Sequence, residues 1–324
     1  MLDIIAIGEL LIDMFSRQEG TLAFNGAPGG APCNLAAQAA RLGSRVAIIC
    51  KLGEDYFGKY LRNYVRELGI DDSYISFTAQ ANTTLAFVTH DETNNRAFSF
   101  YRNPGADMLL TPQDLPKDLL LQARCVAYGG VALSEEPARS TLLCAVSGLD
   151  MAKQIIAYDP NIREALWSEG AQILRTVTLE GMRYANVVKL ADNELRFLMQ
   201  TEDLTHGAFS LLQRYRNIRF LAITAGEAGA YLPCGNALIH VPSYPVCVTD
   251  TTGAGDSFFG ALLYCFLQEH CLPWECSLQQ QLQCVRYANM AGSLTATAEG
   301  AIPAMPNHQD ITQALAQMLP CAAE

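Results

Sequence analysis

The segment Val248-Thr249-Asp250-Thr251-Thr252-Gly253-Ala254-Gly255-Asp256-Ser257-Phe258-Phe259-Gly260-Ala261-Leu262-Leu263 holds the strongest chemical signal in the chain. A strand-like run ends at a turn of small residues, and an apolar helix begins near Asp256. Such a turn gathers backbone N–H groups at the positive end of the helix, a seat for an anion. Gly253 and Gly255 let a phosphate approach with no side chain in the way, and Ala254 adds little bulk. A carboxylate at that place cannot bind an anion, so Asp256 reads as a base beside a transferring phosphate. The positive helix end is expected to keep Asp256 ionised at neutral pH. A glycine turn with Asp256 as an N-cap fits the segment taken alone. The segment has neither GxxxxGK[ST] nor GxGxxG, which leaves the P-loop and dinucleotide folds unsupported.

A second cluster, Gly26-Ala27-Pro28-Gly29-Gly30-Ala31-Pro32-Cys33-Asn34, opens the first long helix. Gly29 and Gly30 permit close approach of a ligand, and Asn34 offers donors and an acceptor to a hydroxyl-rich molecule. A structural turn explains the cluster equally well by itself. Asp13 follows the first strand and reaches the same crevice, since ligands of open α/β sheets bind beyond the carboxyl ends of strands. Asn161 and Arg163, in Asp159-Pro160-Asn161-Ile162-Arg163, follow another strand end in the same way.

The elements that must position these groups alternate along the chain. Ile4–Ile7 reads as a strand, with Leu10–Met14 as its exit. A helix follows over Cys33–Leu42, closed by Gly43, then a strand over Val46–Cys50 and a helix over Asp55–Leu68. Ile155–Tyr158, Val187–Leu190 and Phe220–Thr224 continue the series with helical stretches between them. This predicts an α/β fold, a mostly parallel central sheet flanked by helices. Thr83–Thr89 and Arg96–Arg102 break the rhythm, alternating around the polar turn Asp91-Glu92-Thr93-Asn94-Asn95 as a hairpin does. With Thr21-Leu22-Ala23-Phe24 they predict a small β-sheet lid, drawn from about 14–28 and 82–108 and inserted in one domain spanning 1–324. A bland surface hairpin fits the same pattern.

Composition bounds the partners. Lys and Arg number 22 against 33 Asp and Glu, a net charge of −11 that argues against nucleic acid. Half the 324 residues are hydrophobic, enough for a sizeable core. The N-terminus has no basic region and no long apolar run, so neither signal peptide nor membrane span is expected and a cytoplasmic location is. The 11 cysteines are scattered without a CxxC pair and the five histidines lie apart, which disfavours zinc and suits buried reduced thiols.

Gly29-Gly30-Ala31-Pro32-Cys33-Asn34-Leu35-Ala36 and Asp250-Thr251-Thr252-Gly253-Ala254-Gly255-Asp256-Ser257-Phe258 resemble the two signatures of the ribokinase-like (PfkB) carbohydrate kinases. Gly8-Glu9-Leu10-Leu11-Ile12-Asp13 resembles that family's opening strand and Gly300-Ala301-Ile302-Pro303 its closing loop, so the resemblance spans the chain. The segments Tyr101-Arg102-Asn103-Pro104-Gly105-Ala106-Asp107 and Asp159-Pro160-Asn161-Ile162-Arg163-Glu164-Ala165-Leu166-Trp167 look most like bacterial fructokinases. Aminoimidazole riboside kinases share the Pro-Gly-Ala-Asp stretch.

The resemblance implies phosphoryl transfer from ATP, with Mg²⁺, to a primary hydroxyl of a sugar, most simply D-fructose to D-fructose 6-phosphate. An aminoimidazole riboside or another furanose or ketose is the alternative acceptor, and a non-catalytic sugar or nucleotide sensor the alternative class. It implies Asp256 as catalytic base, and Gly253, Ala254 and Gly255 as anion hole. Asp13, Gly29, Gly30, Asn34, Asn161 and Arg163, with Arg102 from the lid, bind the sugar. Lys189, Thr224, Gly226, Gly229 and Asn289 serve ATP, and Glu194 the magnesium shell indirectly. Many members carry Asn where Ala191 stands, which shifts magnesium contacts toward Asp192 or Asn193. K⁺ is a candidate activator held by Asp250 and Thr252 on one loop and by Thr295, Ala298, Gly300 and Ala304 on the other. Ala304 lacks the Ser hydroxyl found there in some members. A lid with an exposed face makes a homodimer through it a candidate assembly.

Overall fold

The computed structural model describes residues 2–16, 22–90, 96–269 and 271–318. Its strands, in chain order, are β1 (Ile4–Ile7), β2 (Leu11–Ser16), β3 (Phe24–Gly29), β4 (Val46–Gly53), β5 (Ile75–Thr78), β6 (Leu85–His90) and β7 (Arg96–Tyr101). They continue as β8 (Cys125–Gly129), β9 (Ile155–Asp159), β10 (Val187–Ala191), β11 (Phe220–Thr224), β12 (Ala230–Cys234) and β13 (Ala237–Val241). The central sheet runs β13-β12-β11-β10-β9-β8-β1-β4-β5. It is parallel from β11 to β5, and β12 and β13 add an antiparallel edge.

Burial on both faces explains the parallel strands. Along β1, Ile4 and Ala6 pack into the cluster that holds Phe259 and Leu262, whereas Ile5 and Ile7 pack into the one that holds Leu142 and Leu195. All four are fully buried, and each isoleucine removed from water contributes on the order of 1.5–3 kcal/mol. The helix between β3 and β4 covers Ala31–Arg41, that between β4 and β5 Tyr56–Glu67. Asp55 caps the second by accepting the Gly58 N–H at 2.8 Å.

The smaller sheet runs β3-β2-β6-β7, antiparallel at β2–β3 and β6–β7 and parallel at β2–β6. Here the structure departs from the sequence reading. Leu11–Ser16 is not the tail of β1 but a central strand of the second sheet, and β3 rather than 21–24 is its partner. The chain turns at Gly8, whose φ is +152° and where a Cβ would come within 2.6 Å of Pro32 Cγ, so no side chain fits. Thr21 and the polar turn 91–95 lie outside the described residues. A second correction concerns 242–250, which forms no strand; β13 ends at Val241, and Thr249 is held by the Ala296 carbonyl at 2.8 Å.

Candidate active site

Two helix N-termini meet at the carboxyl ends of the parallel strands. Helix Ala31–Arg41 starts from Gly30 and helix Ala254–Gln268 from Gly253, so the second begins two residues before Asp256. Gly253 takes a left-handed φ of +74°, and a Cβ there would come within 2.6 Å of the Ala301 side chain. The helices pack closely because Gly260 lies against the Leu35 carbonyl, where a Cβ would come within 2.6 Å. Between them Ser257 Oγ donates to Gln38 Oε1 at 2.8 Å. At their tips Asn34 Nδ2 donates to Asp256 Oδ2, also at 2.8 Å.

The lid supplies Asp13. In β2 it pairs with Ala27 of β3, and its carboxylate lies across Gly29, where a Cβ would fall 1.9 Å from Asp13 Oδ2. Glu9, Asp13, Gly30, Asn34, Asn161, Arg163, Lys189, Gly253, Gly255 and Asp256 line one cleft, roofed by Leu11, Phe15, Ala86, Val88 and Phe100 of the lid. Asn161 accepts a left-handed φ of +41°, a conformation Asn tolerates better than most residues, and its N–H donates to Asp159 Oδ1 at 3.2 Å.

Burial dominates the electrostatics. The Asp256 carboxyl lies above the usual carboxylate range because it is desolvated and faces Asp159; Lys189, the Asn34 hydrogen bond and Arg163 pull it back. Burial thus opposes the helix-end effect that is expected from the sequence to keep Asp256 ionised at neutral pH. Desolvation pushes Asp13 up to about 7, with the Asp256 charge adding and Arg163 opposing. Lys189 is 7% exposed and pairs with Asp159 Oδ2 at 3.0 Å. Burial pulls its pKa down, but Asp159, Glu194 and Asp256 together hold it above the ordinary lysine value. A Cβ on Gly255 would stand 3.2 Å from Lys189 Nζ, so a fixed cation adjoins the turn at the helix start.

Beyond Lys189, Thr224 closes β11, with Oγ1 donating to the Leu190 carbonyl at 3.3 Å, and Gly226 and Gly229 form the turn that follows. Glu194 carries its carboxylate to two backbone donors, Ile162 N–H at 2.7 Å and Ala191 N–H at 2.8 Å. Its pKa is raised by burial, against the pull of Lys189. Asp192 pairs with Arg196, and Asn193 Oδ1 accepts the Glu194 N–H at 2.9 Å. On the far side Asp250 ties two loops together: Oδ1 accepts from Thr252 N–H and Oγ1, and Oδ2 from Gly300 N–H at 2.9 Å.

Several expected site residues stand elsewhere or are engaged. Arg102 does not line the cleft. Its guanidinium is 3% exposed and bound to Asp107 at 2.7 Å, Ser134 Oγ at 2.7 Å and the Val131 carbonyl. Asn289 turns its amide to the Val241 and Pro242 carbonyls, at 2.9 and 3.1 Å, and so braces the backbone against which Gly229 packs. Thr295 is fully buried, its Oγ1 within hydrogen-bond distance of the Ala291 carbonyl at 2.9 Å and of Ser257 Oγ at 2.8 Å. Ala298 is exposed, and Ala304 lies in the short turn Ile302–Ala304. Asp159, unassigned from the sequence as a Lys189 partner, is signalled by register: Val188 pairs with Tyr158, one residue before each. Glu9 carries no comparable signal.

Among the described residues no cluster of three His, Cys, Asp or Glu side chains could hold a metal ion, and no helix is long and apolar enough to cross a membrane. The ten described cysteines are free; burial pushes Cys33 up to about 12.

Known proteins resolve what such a site belongs to. The family model "pfkB family carbohydrate kinase" matches residues 1–308. Fructokinase-1 of Oryza sativa subsp. japonica is 40% identical over 314 residues, 95% of this chain and 96% of the relative. The crystal structure of a fructokinase with bound ATP from Xylella fastidiosa superposes with a TM-score of 0.90 at 30% identity, covering 98% of this chain and 99% of that one. A double-mutant fructokinase from Vibrio cholerae O395, in a fructose, ADP and potassium ion bound form, gives 0.86 at 29% identity, with 97% and 98% covered. With the glycine turn, the carboxylate beside it and the lid in one cleft, the chain belongs to the pfkB family of carbohydrate kinases.

Proposed function

We propose that this carbohydrate kinase transfers the γ-phosphoryl group of ATP to the 6-hydroxyl of D-fructose, giving D-fructose 6-phosphate and ADP. One observation carries the mechanism: Asp256, held by Asn34, opens the helix whose glycine turn adjoins Lys189 in a lid-covered cleft. The fructokinase identity of the rice and bacterial relatives supports fructose as the acceptor.

The sugar would lie between Asp13, Asn34, Gly29-Gly30, Asn161 and Arg163, groups that bind hydroxyls in pairs. Asp256 takes the proton of the attacking hydroxyl. The new O–P bond forms as the β,γ-bridging P–O bond breaks and its electron pair leaves on ADP. Backbone donors of Gly253 and Gly255, with that of Ala254 once it leaves the Thr251 carbonyl it meets at 3.3 Å, and Lys189 and Arg163 nearby, would stabilise the charge spread over the transferring group. Thr224, Gly226 and Gly229 form the seat for the nucleotide, which Asn289 supports from behind. The apolar roof of the lid excludes water, which would otherwise compete as acceptor.

Mg²⁺ would arrive with the nucleotide, and Glu194, whose two oxygens accept the Ile162 and Ala191 N–H groups, would hold it only indirectly. When bound it neutralises phosphate charge. K⁺ would be held at the loops tied by Asp250, whose carboxylate supplies a charge, with the carbonyls of Thr252, Thr295, Ala298, Gly300 and Ala304 as its candidate oxygen ligands. The potassium bound in the Vibrio relative supports that reading.

A panel of fructose, glucose, ribose and aminoimidazole riboside, assayed by ADP release, tests the function. Fructose is expected to give the highest kcat/KM. A wide margin for the riboside would overturn the acceptor but not the family, and a nucleotide-binding protein without turnover would support the sensor class.

A further inference from the structure

Glu9 follows β1 and turns beneath the start of helix Ala31–Arg41, where Oε1 accepts the Ala31 N–H at 3.0 Å. It is 2% exposed, yet it lines the sugar side of the cleft, and its Oε2 is buried with no hydrogen-bond partner. One turn into the same helix, Asn34 spends Nδ2 on Asp256 and leaves Oδ1 buried and likewise unpartnered. Each unsatisfied buried polar group costs on the order of 1–3 kcal/mol, so two in one cleft call for a ligand group that satisfies both.

We propose that Glu9 Oε2 and Asn34 Oδ1 together seat one hydroxyl of the sugar, with Glu9 as O–H donor and Asn34 as acceptor. A hydroxyl carries one proton and two lone pairs, so it answers both oxygens at once only if one of them brings a proton. An amide oxygen cannot, which leaves the carboxyl. The surroundings keep Glu9 protonated: burial pushes it up to about 8 and the Asp107 charge adds, while its own N–H, the Ala31 N–H and Arg102 pull it down. Cys33 of the same helix and Cys50 of β4 also face it, as neutral thiols. Glu9 is thus a specificity-determining contact rather than a base, and this inference rests on the sugar-kinase reading above.

Glu9→Gln preserves an acceptor for Ala31 and a donor at the Oε2 position; Glu9→Leu keeps the bulk and removes both. The test measures KM and kcat for fructose, KM for ATP, and calorimetric fructose binding across pH 6 to 10, with the singly deoxygenated fructoses as competing substrates. Glu9→Gln is expected to keep much more of the fructose affinity at pH 7 than Glu9→Leu, which should raise the fructose KM about 10- to 100-fold while the ATP KM stays put. One deoxyfructose should bind wild type weakly and lose nothing further in Glu9→Leu. Wild-type fructose affinity should fall as pH rises past about 8, as Glu9 loses its proton, and Glu9→Gln should not share that fall. Asp13 and Asp256 are common to both proteins, so their ratio isolates Glu9. An unchanged fructose KM in Glu9→Leu, or identical pH dependence in wild type and Glu9→Gln, overturns the proposal. If Glu9→Leu does not fold, the pH dependence of wild type against Glu9→Gln decides by itself. If wild type prefers another sugar, the fructose reading fails, and the same variants judged on that sugar and its deoxy analogues decide the role of Glu9.

Discussion

The Asn34 amide stands 2.8 Å from Asp256 Oδ2, joining two residues 222 apart in sequence and the glycine turns that precede them. The bond fixes the base beside the sugar's seat, and it favours the ionised carboxylate against the burial that raises its pKa. A base works when ionised, so activity falls as pH drops through that pKa. Asn34→Ala removes a lowering contribution and should move the acidic limb of the kcat profile to higher pH. An unmoved limb would mean that Asn34 positions sugar alone.

Gly29 matters through the neighbour it admits. A Cβ there would fall 1.9 Å from Asp13 Oδ2, so Gly29→Ala must displace the carboxylate. The fructose KM should rise about 10- to 100-fold, with the ATP KM unchanged. Steady-state kinetics with each substrate varied separately checks the split.

Arg102 and Asp107 form a buried pair, and breaking it strands a charge. Arg102→Met should cost about 3–5 kcal/mol of stability, read as a lowered Tm, with little change in fructose KM measured well below the transition. A raised KM at an unchanged Tm would return Arg102 to the sugar site.

Asp250 is where a monovalent cation should act. Turnover in tetramethylammonium buffer is expected to rise when K⁺ is added at constant ionic strength. Asp250→Asn keeps an acceptor for Gly300 but removes the charge, and should flatten that response, chiefly in kcat. A wild-type response flat in K⁺ would mean that the loop is held ready without an ion.

The sequence makes the central sheet legible because its strands are buried on both faces and separated by helices with glycine stops. It does not reveal that Leu11–Ser16 leaves that sheet: short apolar runs look alike in either sheet, and only the turn at Gly8 separates them. Asp13, Asn34, Arg163 and Asp256 converge on one cleft because glycine turns and strand ends mark the sheet's carboxyl edge. Arg102 and Asn289 look available in sequence, and lose that look only when Asp107 and the Val241–Pro242 backbone fold against them. Glu9 is invisible for the opposite reason. A glutamate between a strand and a leucine reads as solvated until the helix start buries it.

The central claim is that Asp256 takes the proton of the sugar hydroxyl, and Asp256→Asn tests it most directly. The substitution keeps size and the backbone cradle while removing the proton acceptor. With fructose and ATP saturating, kcat should fall by at least ~10²-fold, toward the 10²–10⁴-fold typical of general-base loss, while ATP binding measured by calorimetry persists. Turnover within a few-fold of wild type would contradict the account.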